Sequence, residues 1–135
     1  SNELQERINK MPPAVTWRAS LFGAVASTAA YSDSVNWLDG VLITLDENRK
    51  LLSNLLHSKL PAIKYRIPDF GYLAWLDMST LGLGDDPAAR ILEKGKVALN
   101  GGVLYGPKHK SFVRLNFGTS PELITEGIDR IAKSL

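Results

Sequence analysis

The sequence contains no cysteine. Disulfide frameworks, thiolate metal sites and cysteine nucleophiles are therefore excluded. It also lacks any long block of charge of one sign, and its formal net charge is only +2. Such a balance gives no electrostatic basis for binding nucleic acid or an anionic membrane surface. No apolar run approaches the roughly 20 residues that a spanning helix needs. The opening stretch SNELQERINK is polar and helical rather than a signal peptide. No internal repeat or low-complexity tract is present. What remains is a chain of 135 residues, 44% of them hydrophobic. That is enough for one domain with a real core, or for one piece of a larger protein. The expectation is a soluble, cytoplasmic globular chain.

Patterning divides the chain into a helical first part and an α/β second part. Asn2 is placed to cap a short helix in which Leu4, Ile8 and Met11 fall at i, i+4 and i+7, with Pro12 and Pro13 ending it. Residues 18–31, RASLFGAVASTAAY, are dense in Ala and Ser, which predicts a buried helix packing its backbone close to neighbours. Ser32, Asp33 or Ser34 can cap a long helix reaching His57. Its apolar stripe is Leu38, Val41, Leu42, Leu45, Leu52, Leu55 and Leu56.

After Pro61 the pattern becomes extended. Residues 63–67 and 72–78 read as strands. The loop STLGLGDDP leads into a helix capped by Asp85 or Asp86, with Pro87 at its first position, that runs to about Gly95. KVALN reads as a short third strand and GGVLYGPKHK as a flexible, glycine-rich surface loop. SFVRLNFGTS, residues 111–120, reads as a fourth strand ending at a helix cap, Ser120. The last helix has Pro121 behind that cap and Ile124, Ile128, Ile131 and Leu135 as its buried stripe.

Most candidate chemistry reduces to ordinary structure. Gly82-Leu83-Gly84 is followed by Asp86-Pro87 where a dinucleotide fingerprint requires a third glycine, so a turn and cap is the better reading. GGVLYGPKHK lacks the Gly-Lys-Ser/Thr ending of a phosphate loop. His57 lies at a helix end and His109 in a basic loop, neither with a carboxylate at useful spacing. Asp77 stands at a strand end, where acids serve active sites or, more often, satisfy nearby backbone donors. Ser58-Lys59 reads as a helix C-terminal charge. Arg114 is the open question. With period two, Val113, Leu115 and Phe117 share one face and Phe112, Arg114 and Asn116 the other. An arginine there is either a solvated charge or an anchor for something anionic.

Several stretches bear on that question together: AAYSDSVNWLD leading into LDENRKLL, then YLAWLDM, DPAARILEKGKVALNGG and FVRLNFGTS. In this order they resemble the C-terminal part of fold-type-I pyridoxal-phosphate enzymes. More narrowly, they are similar to the cystathionine β-lyase branch of class I/II aminotransferases, over nearly the whole chain. The resemblance implies an α/β fold, in detail an α+β small domain with a mostly antiparallel sheet flanked by helices and preceded by a long interdomain helix. It implies residues 1–32 as a remnant of the large cofactor domain, 33–57 as the interdomain helix and 58–135 as the small domain. It assigns Arg114 to the substrate α-carboxylate. The implied cofactor is pyridoxal 5'-phosphate and the implied assembly a homodimer.

The Ser-x-Ser-Lys stretch that carries the cofactor lysine in this family has no counterpart here. Lys10, Lys59 and Lys94 lie in helical or capping contexts. The expectation is a C-terminal fragment, inactive alone and exposing apolar surface on its first two helices, with no catalytic, cofactor-binding or metal residue of its own. The parent activity is C–S β-lysis of cystathionine type, with an aminotransferase as the near alternative. A stand-alone α/β module binding a small ligand or a protein is the rival of another class. Two features depart from the family pattern: Ser34-Val35 stand where a glycine is usual, and Gly71 where a larger residue is common. In some relatives the region matching residues 16–20 approaches the neighbouring subunit's cofactor.

Overall fold

A computed structural model of the chain describes residues 1–13 and 20–135. Most of residues 16–20, and the expected start of the second helix at Arg18, lie outside the described residues. Contacts divide the chain into two units, Ser1–Asp39 and Gly40–Leu135.

The first unit holds α1 (Asn2–Asn9) and α2 (Leu21–Asp33). Ser1, rather than Asn2, caps α1, its hydroxyl accepting the Leu4 N–H at 3.4 Å. An i,i+4 pair, Glu3 with Arg7 at 2.7 Å, reinforces the exposed face. Ser20 caps α2, accepting the Gly23 N–H. No residue of α1 or α2 is buried. The expectation of a buried Ala/Ser-rich helix therefore fails for this chain: small side chains permit close packing, but a facing element has to supply it.

The long helix α3 (Val35–Lys59) begins in the first unit and ends in the second. Its 25 residues make it about 37 Å long. Only its later half is anchored. Leu52 and Leu56 are buried, whereas Leu38 and Leu42 are about half exposed.

The second unit is a four-stranded antiparallel sheet with helices packed on one face. The strands are β1 (Lys64–Tyr65), β2 (Leu73–Asp77), β3 (Asn100–Gly101) and β4 (Phe112–Asn116), in the order β1-β2-β4-β3. Alternation fixes its two faces. Ala74, Leu76, Val113 and Leu115 point into the core, which they share with Leu52 and Leu56 of α3 and with Ile91 of α4 (Pro87–Gly95). Ile124, Ile128 and Ile131 of α5 (Pro121–Ser134) and Phe117 complete it. Each such side chain contributes about 1.5–3 kcal/mol when fully buried.

Three expectations about this unit are corrected. β1 pairs only Lys64 with Asp77 and Tyr65 with Leu76. It is an edge strand, and Pro68, having no N–H to pair, follows closely. The third strand is Asn100–Gly101 rather than KVALN: Lys96 takes the left-handed C-cap of α4 (φ 55°), and only Asn100 and Gly101 pair with β4. In α5 it is Ser134, not Leu135, that completes the buried stripe. The caps follow expectation: Asp86 accepts the Ala89 N–H at 3.1 Å and Ser120 the Leu123 N–H at 3.4 Å, each with proline next.

One buried polar residue joins α3 to the end of β4. Asn48 is 1% exposed, and its amide donates to the carbonyls of Phe117 (3.0 Å) and Thr119 (2.7 Å). Both carbonyls lie where the chain leaves the sheet for α5 and have no ladder partner, so Asn48 supplies the bonds that burial would otherwise remove. At the other edge, Arg49 donates to the carbonyls of Pro68 (2.9 Å) and Asp69 (3.3 Å), and Lys59 pairs with Asp129 of α5.

Candidate functional site

Arg114 occupies the middle of β4, an inner strand flanked by β2 and β3. Its Cα partners are Trp75 on one side and Asn100 on the other, so the three side chains share the sheet face opposite the core. That face is covered by the segment between β3 and β4, which folds into two 3₁₀ turns, Gly102–Tyr105 and Pro107–His109. Gly102 makes this closure possible. A Cβ there would meet the His109 carbonyl oxygen and lie 2.8 Å from the Phe112 carbonyl oxygen, closer than real atoms approach.

The turns set an aromatic cluster beside the arginine. Trp75 stacks on Phe112 at 5.4 Å and meets Tyr105 edge-on at 5.2 Å. His109 packs edge-on against both Trp75 and Phe112. Arg114 is half-buried; its guanidinium carbon sits 5.3 Å from the centre of the Tyr105 ring, and one Nη donates to Asn100 Oδ1 at 3.2 Å. Among the described residues no carboxylate lies within 4.0 Å of this guanidinium, whereas Arg7, Arg49, Arg66 and Arg130 each pair with one. Arg114 thus holds a fixed position without having its charge neutralised. That arrangement can receive a planar anion through two parallel hydrogen bonds.

The other candidates fall where ordinary structure places them. Asp77 accepts the Ser79 N–H at 2.9 Å and starts the turn Ser79–Leu81. The Ser79 hydroxyl, together with that N–H, holds its carboxyl below the usual range. Gly82 and Gly84 both take positive φ, 62° and 81°, in the turn leading to the Asp86 cap. His57 stands at the exposed end of α3, bordering a small cavity with Ser53, Pro61 and Tyr65. Every lysine is exposed. Among the described residues no group of three or more His, Asp or Glu could hold a metal ion, and no helix is long and apolar enough to cross a membrane.

Alternation places Arg114 on the face opposite the core but does not show the groups that hold it there. Trp75 and Asn100 become visible once YLAWLDM and the end of KVALN are laid antiparallel to SFVRLNF. Tyr105 and His109 sit in non-periodic turns and give no such signal.

No protein-family model matches the chain. It is, however, 40% identical over 115 residues to cystathionine β-lyase PatB of Bacillus subtilis, an alignment covering 84% of this chain and 30% of that protein. The chain is similar to about a third of such cystathionine β-lyases. A pyridoxal-phosphate-bound C–S lyase of Staphylococcus hominis superposes with a TM-score of 0.79 at 26% identity, over 85% of this chain and 29% of that one. Aspartate aminotransferase of Pyrococcus horikoshii is more distant, at 23% identity over 137 residues, which is 99% of this chain and 35% of that protein. The fold observed here, a small antiparallel sheet with helices, matches the C-terminal domain of fold-type-I pyridoxal-phosphate enzymes. The chain spans about a third of the length of the curated relatives it matches.

Proposed function

We propose that this chain is the substrate-carboxylate-binding third of a pyridoxal-phosphate-dependent C–S β-lyase of cystathionine type, with Arg114 as the carboxylate anchor. The observation that carries the reading is the Arg114 guanidinium, fixed on an inner strand by neutral groups and facing no carboxylate among the described residues. A charge-assisted pair with an amino acid's α-carboxylate contributes about 1.5–3 kcal/mol, and the fork geometry orients the substrate as well as holding it. Orientation matters because pyridoxal phosphate, when bound, acts as an electron sink and the protein selects which bond at Cα breaks. The exposed lysines of this chain do not fit that cofactor's attachment, so the reading places the Schiff-base lysine in a larger domain of the whole enzyme.

In the same reading residues 1–32 belong with that larger domain, 33–57 form the interdomain helix and 58–135 the small domain. The exposed apolar side chains of α2, Leu21 and Phe22 among them, support this division. A cytoplasmic homodimer is the proposed assembly. The lyase is favoured over an aminotransferase by the higher identity to PatB. The stand-alone binding module is disfavoured by similarity that spans most of this chain to part of larger enzymes.

In the full-length enzyme, Arg114→Ala should lower kcat/KM for amino-acid substrates about tenfold or more, the loss of one charge-assisted pair. Arg114→Lys should recover only part of this, since an ammonium supplies charge without the fork. Cofactor occupancy should be unchanged in both variants. An unaltered kcat/KM in Arg114→Ala would refute the assignment.

A further inference from the structure

We propose that Asn100 and Tyr105 are positioning residues whose task is to hold Arg114 in place while leaving its charge unpaired, so that the site selects ligands bearing a free carboxylate. The proposal rests on the reading that Arg114 receives the carboxylate. A guanidinium has five N–H donors and no acceptor, so it is oriented by whatever accepts from it. For four other described arginines that acceptor includes an acid, Glu3 for Arg7, Asp46 for Arg49, Asp69 for Arg66 and Glu126 for Arg130; Arg90 of α4 has no acid partner among the described residues, but its Nε is buried without any acceptor to orient it. For Arg114 the acceptor is the neutral amide oxygen of Asn100, 3.2 Å away and set opposite it by the β3–β4 register. An amide oxygen fixes the geometry as a carboxylate would, but adds no opposing charge.

Tyr105 does the complementary work. Its ring faces the guanidinium at 5.3 Å, an attraction that also leaves the charge in place. The ring is itself fixed by the edge-on contact with Trp75, which stands opposite Arg114 on β2. With one Nη occupied by Asn100 and one face occupied by the ring, the remaining N–H edge is available to an incoming anion. Replacing Asn100 by aspartate would keep the acceptor at nearly the same place and add an internal carboxylate that competes for the guanidinium. A purely structural role for Asn100 predicts that this change is harmless or stabilising. A positioning role predicts that ligand binding is lost while the fold is kept.

The test uses the full-length, cofactor-loaded enzyme and two competitive inhibitors, L-alanine and L-alaninamide, the second lacking the carboxylate. Asn100→Asp should raise Ki for L-alanine about tenfold or more, since a charge-assisted pair is diverted. Ki for L-alaninamide should stay within about twofold and the melting temperature should not fall. Asn100→Ala should weaken L-alanine only about threefold, because orientation is loosened and no competing charge is introduced. Tyr105→Leu should weaken L-alanine about two- to fivefold and Tyr105→Phe should restore the parent value, since the ring face suffices. If Asn100→Asp does not fold, the Tyr105 pair decides. Asn100→Asp behaving like Asn100→Ala, or Tyr105→Phe behaving like Tyr105→Leu, would overturn the proposal even with Arg114→Ala impaired. Unimpaired binding of L-alanine by Arg114→Ala would instead remove the reading beneath it.

Discussion

Helices α2 (Leu21–Asp33) and α5 (Pro121–Ser134) both start on a serine cap and both carry apolar residues, yet they end in opposite states. In α5, Ile124, Ile128 and Ile131 are at most 4% exposed and close the core over the sheet. In α2, Leu21 and Phe22 are 74% and 84% exposed. The stripe of α5 faces strands supplied by the same unit, so its burial is complete within this chain. The apolar residues of α2 have no such partner among the described residues. Amphipathic pattern states which face of a helix calls for burial; only a facing element provides it.

Substitutions in the two helices' regions test this contrast. The largest effect is expected in the closed unit: Phe117→Ala, at a fully buried position, should cost about 3–5 kcal/mol in urea unfolding of this chain. Phe22→Ala, at an exposed one, should change stability by less than about 0.5 kcal/mol. Equal costs would mean that the two regions do not differ as described. Next comes Asn48→Ala, which leaves the Phe117 and Thr119 carbonyls without their donor. Orphaning the buried Phe117 carbonyl costs on the order of 1–3 kcal/mol, whereas the carbonyl of the exposed Thr119 can turn to water, so a loss of about 1–3 kcal/mol should appear in the same unfolding assay.

The smallest effect concerns pH. Asp77 has a carboxyl pKa below its ordinary value of 3.8. Its ionised form therefore contributes stability that is present above pH 3.8 and is lost as pH falls through the lower folded-state value. Asp77→Asn should flatten that part of the stability profile by slightly lowering stability above pH 3.8, while leaving stability at the acid end, where Asp77 is protonated, little changed. A profile unchanged by the substitution would show that the Ser79 contacts do not favour the charged form.

The legible parts of this molecule were those governed by periodicity and caps. The alternation of Val113, Leu115 and Phe117 placed Arg114 on the far face, and Asp86-Pro87 and Ser120-Pro121 marked two helix starts correctly. Interactions between distant segments were not legible. Asn48 reads as one polar residue in a helix until the end of β4, some 70 positions later, is brought against it. Asn100 and Tyr105 acquire meaning only through the β3–β4 register and the turn that Gly102 closes. Ala and Ser content does not predict whether α2 is buried, because it reports a capacity for close packing and carries no information about the neighbour.

Arg114 is read here as held ready for a carboxylate. A crystal structure of the full-length enzyme with a bound amino-acid inhibitor tests it most directly. The account predicts both carboxylate oxygens within about 2.7–2.9 Å of Arg114 nitrogens, the spacing of a charge-assisted fork, with Asn100 still accepting from the guanidinium. A carboxylate bound by other residues, with Arg114 more than about 4 Å away and beyond ion-pairing reach, would contradict it.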